Sequence, residues 1–225
     1  MATKAVFIGV NKHVDASIPE LSGACRDAIA LWALFTDTLT DLSAHLLIDE
    51  QATHATASAA LNATLAGAAE GDVVIISFAG HGSADGSLVF HDTQAANLGA
   101  TALSMAVLAD AFKSTKARAV LCLLDCCFSG HAPARVLETN AMPRNAFALT
   151  GVYGEGRILI SACTSTEAAW EQPGTGHGLL TYAVIEAMTR ESTDTISFPA
   201  IADDIISLAR YKDFPTSQYP VKTVF

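Results

Sequence analysis

Charge is scarce in this chain. Of its 225 residues only 16% are Asp, Glu, Lys or Arg, against roughly 25% in an average globular domain. Positive charge is scarcer still: 13 Lys and Arg face 23 Asp and Glu, for a net charge of −10. So acidic a chain makes a poor nucleic-acid binder, because phosphate contacts demand clustered Lys and Arg. Long apolar runs are missing too. No segment approaches the ~20 apolar residues of a membrane helix, and the run from Ala5 to Val10 is too short for a signal peptide. Internal repeats, charge blocks and linkers are absent. So is disulfide-like spacing: the five cysteines are odd in number and Cys126 and Cys127 are adjacent, which suits a reducing compartment. The expectation is a soluble cytoplasmic protein without membrane or nucleic-acid partners. Its low charge calls for a sheet covered on both faces.

What is present is an alternation of strand-like and helix-like segments. Residues 4–10 read as strand. Ala28, Leu31, Trp32, Phe35 and Leu39 then fall on one face of a helix over 24–39. A strand over 43–48 and an alanine-rich helix over 53–69, opened by Thr53, come next. The Gly71-Asp72 turn feeds a strand leading to His81, and Ser83 to Phe90 read as a polar hairpin. A helix over 103–113 leads into a strand ending at Asp125. Residues 130–156 carry little periodicity, and loops beyond about 12–15 residues are uncommon in compact domains unless functional or disordered. Order returns with a strand over 157–162, helices over 178–190 and 199–211, and a terminal strand near 218–225. The alternation predicts one α/β domain with a mainly parallel sheet and right-handed crossovers.

Two phrases carry the chemistry. Ala79-Gly80-His81-Gly82 follows the apolar run Val73 to Phe78, and Asp125-Cys126-Cys127-Phe128-Ser129-Gly130 follows the run Ala119 to Leu124. Short apolar runs bounded by turn residues read as buried strands of a parallel sheet. In open α/β sheets the carboxyl rim is where ligands bind. A cysteine and a histidine brought to that rim suffice for nucleophilic attack on a carbonyl. Taken alone, each phrase also reads blandly, as a buried cysteine and a turn histidine.

These phrases resemble the histidine and cysteine motifs of caspase-like cysteine peptidases, above all metacaspases and their bacterial relatives. The likeness extends to Leu21-Ser22-Gly23-Ala24-Cys25-Arg26-Asp27-Ala28, to Ile160-Ser161-Ala162-Cys163, to Glu171, and to His177 through Ala183. It departs at Ala79, where metacaspases carry serine, and at Phe128, where many carry histidine. The animal caspase signature Gln-Ala-Cys-x-Gly is absent, so aspartate specificity does not carry over. The resemblance implies a three-layer caspase-like sandwich with a mostly parallel six-stranded sheet and helices on both faces. The whole chain, 1–225, would be one catalytic domain. Residues 1–130 would form the large-subunit-like part, 131–156 the intersubunit-like loop and 157–225 the small-subunit-like part.

The roles follow from that likeness together with the residues' chemistry. Cys127 is the expected nucleophile, and Cys126, pointing the other way, the packing residue. His81 is the expected general acid for the departing amine. Backbone N–H groups of Gly82 and Cys127 would form the oxyanion hole, each donor worth about 2.7–4 kcal/mol. In metacaspases the residues matching Asp125 and Asp27 line the pocket for the side chain before the scissile bond, and Glu171 falls on a substrate-flanking loop. Two carboxylates there select a cation, with Arg preferred over Lys for its planar fork of donors. The implied activity is a cysteine endopeptidase acting on proteins with exposed Arg or Lys. Arg135, Arg144 and Arg157 are candidate sites of zymogen cleavage, by the enzyme itself or by an upstream protease.

Other readings stay beside this one. His177, in a second Gly-His-Gly, precedes a helix and reads as a helix-entry or substrate-loop residue. Cys122, Cys126, Cys127, His131 and Cys163 lack the spacing of paired zinc ligands, and no metal or cofactor is expected. Calcium dependence is left open, with Asp203-Asp204 read first as solvated surface. A catalytically silent caspase-like scaffold and a legumain-, gingipain- or separase-like peptidase on the same fold are the alternatives.

Overall fold

The computed structural model describes residues 2–126, 136–137, 156–162, 176–190, 203 and 221–224. Its elements run β1 (Thr3–Gly9), α1 (Ala24–Thr38), β2 (Leu42–Ile48), α2 (His54–Ala66), β3 (Val73–Ala79), β4 (Gly82–Ser83) and β5 (Ser87–Leu88). They continue with α3 (Leu98–Thr101), β6 (Leu103–Ser104), α4 (Met105–Ser114), β7 (Ala119–Asp125), β8 (Val136–Leu137), β9 (Arg157–Ser161), α5 (Leu179–Arg190) and β10 (Val221–Val224). A six-stranded sheet has the order β10-β9-β7-β3-β1-β2. Five strands are parallel and β10 runs antiparallel on the edge. The order reverses direction at β1, which has β2 on one side and β3 on the other. Such a switch opens a crevice at the carboxyl rim.

Strand alternation sorts the side chains into two cores. Ala5, Phe7, Ile75, Leu121, Leu123, Ile158 and Ile160 point to one face, where α1 and α5 cover them. Val6, Ile8, Val74, Ile76, Val120, Cys122 and Leu124 point to the other, under α2 and α4. Both faces are therefore dry, which explains why the strands read as continuous apolar runs. Each fully buried Leu, Ile or Phe contributes about 1.5–3 kcal/mol. This is the three-layer sandwich expected.

Local chemistry sets the element ends. Thr53 caps α2, accepting from the Thr56 N–H while the Thr56 hydroxyl accepts from the Thr53 N–H. The helix stops at Ala66, short of residue 69, with Gly67 as its C-cap. The helix expected over 103–113 begins only at Met105, because Leu103 and Ser104 pair with β5. The stretch 130–156 is not wholly irregular: Val136 and Leu137 form β8, paired in parallel with Gly82 and Ser83. The helix expected over 199–211 lies outside the described residues apart from Asp203.

Gly9 marks the closest approach of helix to sheet. A Cβ there would stand 2.5 Å from the Ala24 carbonyl oxygen and 2.8 Å from the Ala28 Cβ. Both contacts are on α1, and the backbone oxygen cannot yield without moving the helix. Gly9→Ala is expected to lower stability by about 1–3 kcal/mol through overpacking. A lower urea midpoint with unchanged slope is the readout.

Candidate active site

The site is built at the carboxyl rim, and the pairing of β3 with β7 makes it. Their register sets Ala79 opposite Asp125, and the Gly80 N–H donates to the Asp125 carbonyl at 3.4 Å. The two phrases singled out above thus leave the sheet side by side. Cys127 lies outside the described residues. Cys126, the last residue before it, is fully buried and packs in the core under α2 and α4. Asp125 sits on the opposite face, as alternation demands.

His81 is 1% exposed. Its Nε2 lies 2.8 Å from the Pro19 carbonyl oxygen. A carbonyl only accepts, so Nε2 carries the proton and Nδ1 is the basic nitrogen of the neutral ring. Pro19 belongs to the loop after β1, which sequence reasoning passed over; a backbone carbonyl leaves no signature in a sequence. The ring of His13, from the same loop, lies against His81 with centroids 5.4 Å apart and planes tilted 46°. Burial, with His81 and His91 nearby, depresses the His13 pKa to about 4, despite opposing effects from Asp49 and Asp15.

That loop is pinned at several points. Asp49, at the end of β2, is the one described non-glycine residue with positive φ, at 44°, a conformation Asp tolerates better than most. Its Oδ1 accepts from the N–H groups of Asn11 and Lys12 at 2.8 and 3.0 Å. The Val14 N–H donates to the His91 carbonyl, and the Leu21 N–H to the Asn11 carbonyl. Gly82 stands in β4 between Leu88 and Val136, so the backbone next to His81 is held by strand pairing on both sides.

Asp27 and Asp125 meet at the start of α5. Asp27 is fully buried and accepts from the Gly178 N–H at 3.1 and 3.2 Å and from His177 Nδ1 at 2.8 Å. Asp125, 3% exposed, accepts from the Thr181 N–H at 3.1 Å and the Thr181 hydroxyl at 2.8 Å. Both carboxylates satisfy first-turn amides that the helix itself leaves unpaired, at the end its dipole makes positive. A Cβ on Gly178 would collide with the Asp125 carboxylate. His177 is accordingly a helix-entry residue, held by Asp27, with Arg26 Nη1 donating to the neighbouring Gly176 carbonyl at 2.9 Å.

The remaining expected residues separate. Arg157 opens β9 opposite Val120 and donates from Nη2 to the Thr115 carbonyl at 3.0 Å. Cleavage after it would require peeling β9 from between β7 and β10. Arg135, Arg144, Glu171, His131, Cys163 and Asp204 lie outside the described residues; Asp203 is exposed. Burial pushes the Cys25 thiol up to about 12 and raises that of Cys122 as well, so neither is poised for attack.

A mostly parallel sheet between helical layers, with a buried histidine at its carboxyl rim, defines the class: an α/β protein of caspase-like fold. A family profile described as the caspase domain, peptidase family C14, matches residues 2–215. The chain belongs to that family, and is a caspase-like cysteine peptidase. Among solved structures it is similar to a protein from Geobacter sulfurreducens, at 15% identity and a TM-score of 0.71, over 99% of this chain and 93% of that one. At that identity the likeness speaks for the fold. A search among curated protein sequences returned no significant match. Among the described residues no helix is long and apolar enough to cross a membrane.

The depressed pKa of His13 has a sign. The unfolded chain takes up a proton at this residue below about pH 6.5, while the native chain resists it until about pH 4. Its contribution is therefore intact above pH 6.5 and is lost as pH falls toward 4. Urea denaturation at stepped pH should show stability declining through this window, and less steeply in His13→Phe.

Proposed function

We propose that this protein is a cysteine endopeptidase that cuts after Arg, and less well after Lys, using a Cys127–His81 dyad. The observation that carries the reading is the register of β3 with β7, which brings the ends of both motif strands to one rim. In the proposed reaction the Cys127 thiolate attacks the scissile carbonyl, with Gly82 and Cys127 N–H groups receiving the oxyanion. His81, whose Nε2–H is occupied by the Pro19 carbonyl, uses Nδ1 to pass the thiol proton to the departing amine. Water then releases the acyl group and restores the thiol.

The preference for a basic side chain rests on Asp27 and Asp125. A carboxylate offers about four lone-pair sites, and neutral amides bind it without cancelling its charge. Both carboxylates also hold the start of α5, so the proposed guanidinium site would be made by groups that the fold already fixes in place. Glu171 would add a third carboxylate from the flanking segment. Arg135 and Arg144 remain the proposed cleavage sites of a zymogen, processed by the enzyme itself or by an upstream protease. Two free, buried cysteines, Cys25 and Cys122, suit a reducing cytoplasmic setting.

Peptides ending in Arg, Lys or Asp before a fluorogenic group, with and without calcium, test the reading. Arg should be cut fastest and Cys127→Ala should be inert. Loss of the acid in His81→Ala should cost about 10²–10⁴-fold. Turnover of the Asp peptide alone would overturn the specificity, and no turnover of any peptide would favour the silent scaffold.

Asp125→Asn separates pocket from cap, since its amide oxygen still accepts from Thr181. It should raise KM for the Arg peptide about 10- to 100-fold, the worth of one charge-assisted hydrogen bond, with little change in thermal stability. Intact mass after incubation should show cleavage after Arg135 or Arg144 in the wild type. Cys127→Ala should stay whole if processing is its own.

A further inference from the structure

We infer that His13 is a positioning residue for His81, holding the plane of its ring while the Pro19 carbonyl holds its direction within that plane. This rests on the proposed role of His81 in peptide cleavage. The Pro19 bond restrains Nε2, but one hydrogen bond does not by itself fix rotation of the ring about its axis. The imidazole of His13 lies against the ring, with centroids 5.4 Å apart, and blocks that swing.

The backbone around His13 is fixed on both sides. On one, the Lys12 N–H donates to Asp49 and the Lys12 carbonyl meets His91 Nδ1 at 2.7 Å. On the other, the Val14 N–H donates to the His91 carbonyl at 2.8 Å. The loop's far end is fixed to His81 itself through Pro19. His13 and Pro19 thus form two arms of one bracket, closed over the histidine.

Both nitrogens of His13 are buried without a hydrogen-bond partner among the described residues, and such groups in native structures call for an explanation. The groups facing it are His81, His91, Asp49 and Asp15. Kept uncharged by burial and by its histidine neighbours, His13 can lie beside His81 without opposing the imidazolium that forms when the thiol proton transfers. What the bracket requires is a flat, neutral ring.

The test compares His13→Ala and His13→Phe with wild type. On the Arg peptide, His13→Ala should lower kcat about 10- to 100-fold, the scale of a misplaced catalytic group, with KM within about twofold. His13→Phe, which keeps a flat neutral ring, should restore most of kcat. Imidazole ¹⁵N spectra supply a readout independent of turnover. The Nε2–H form of His81 should dominate in wild type and His13→Phe, and give way to mixed tautomers in His13→Ala. Unchanged kcat and tautomer in His13→Ala would overturn the inference. So would a His13→Phe protein that folds normally yet is as slow as His13→Ala, since the polar nitrogens would then be what matters. If wild type cuts no peptide while the tautomers respond as expected, the proposed function fails and the bracket stands.

Discussion

Everything at the rim depends on the parallel pairing of β3 with β7. Two apolar runs separated by some forty residues become neighbours because each must bury both of its faces, and the only dry place for them is the middle of the sheet. Their register then sets the ends level, Ala79 beside Asp125. A slip of one residue would send every side chain to the opposite face. It would carry Asp125 away from α5 and replace Cys126 in the core with a carboxylate. The chemistry of the motifs is thus secured by the burial of the residues that precede them.

A second dependence ties the early and late parts of the chain. The start of α5 leaves amides unpaired, and buried amides need acceptors. Asp27 from α1 and Asp125 from β7 supply them. The same two carboxylates are the proposed readers of a basic side chain. Structure and specificity share these atoms, so an acceptor must stay at both positions for the start of α5 to hold. Gly178 is kept small by the same crowding.

Much of this was legible in the sequence. The apolar runs disclosed the central strands because burial on both faces leaves no polar alternation to confuse them. His81 and Asp27 stood out through their flanking residues. Gly82 did as well, although its place in a paired strand did not, because two-residue strands carry no periodicity. β8 was missed for the same reason, inside a stretch read as irregular. The sequence of Asp125 fits both a pocket residue and a buried cap, and the structure displays the capping directly. His13 and Pro19 were invisible, since one acts through its ring face and the other through its carbonyl.

The sequence by itself determined the sheet, the class of chemistry and the residue types at the rim, because these follow from periodicity and from motifs contiguous along the chain. Tertiary structure alone decided the tautomer of His81, the bracket around it and the partners of the two aspartates. Those depend on contacts between residues far apart in the chain, such as Pro19 with His81 and Asp27 with Gly178. Short-range pattern records which side chains a segment offers. Only the folded chain brings a distant carbonyl or amide within hydrogen-bond range of them.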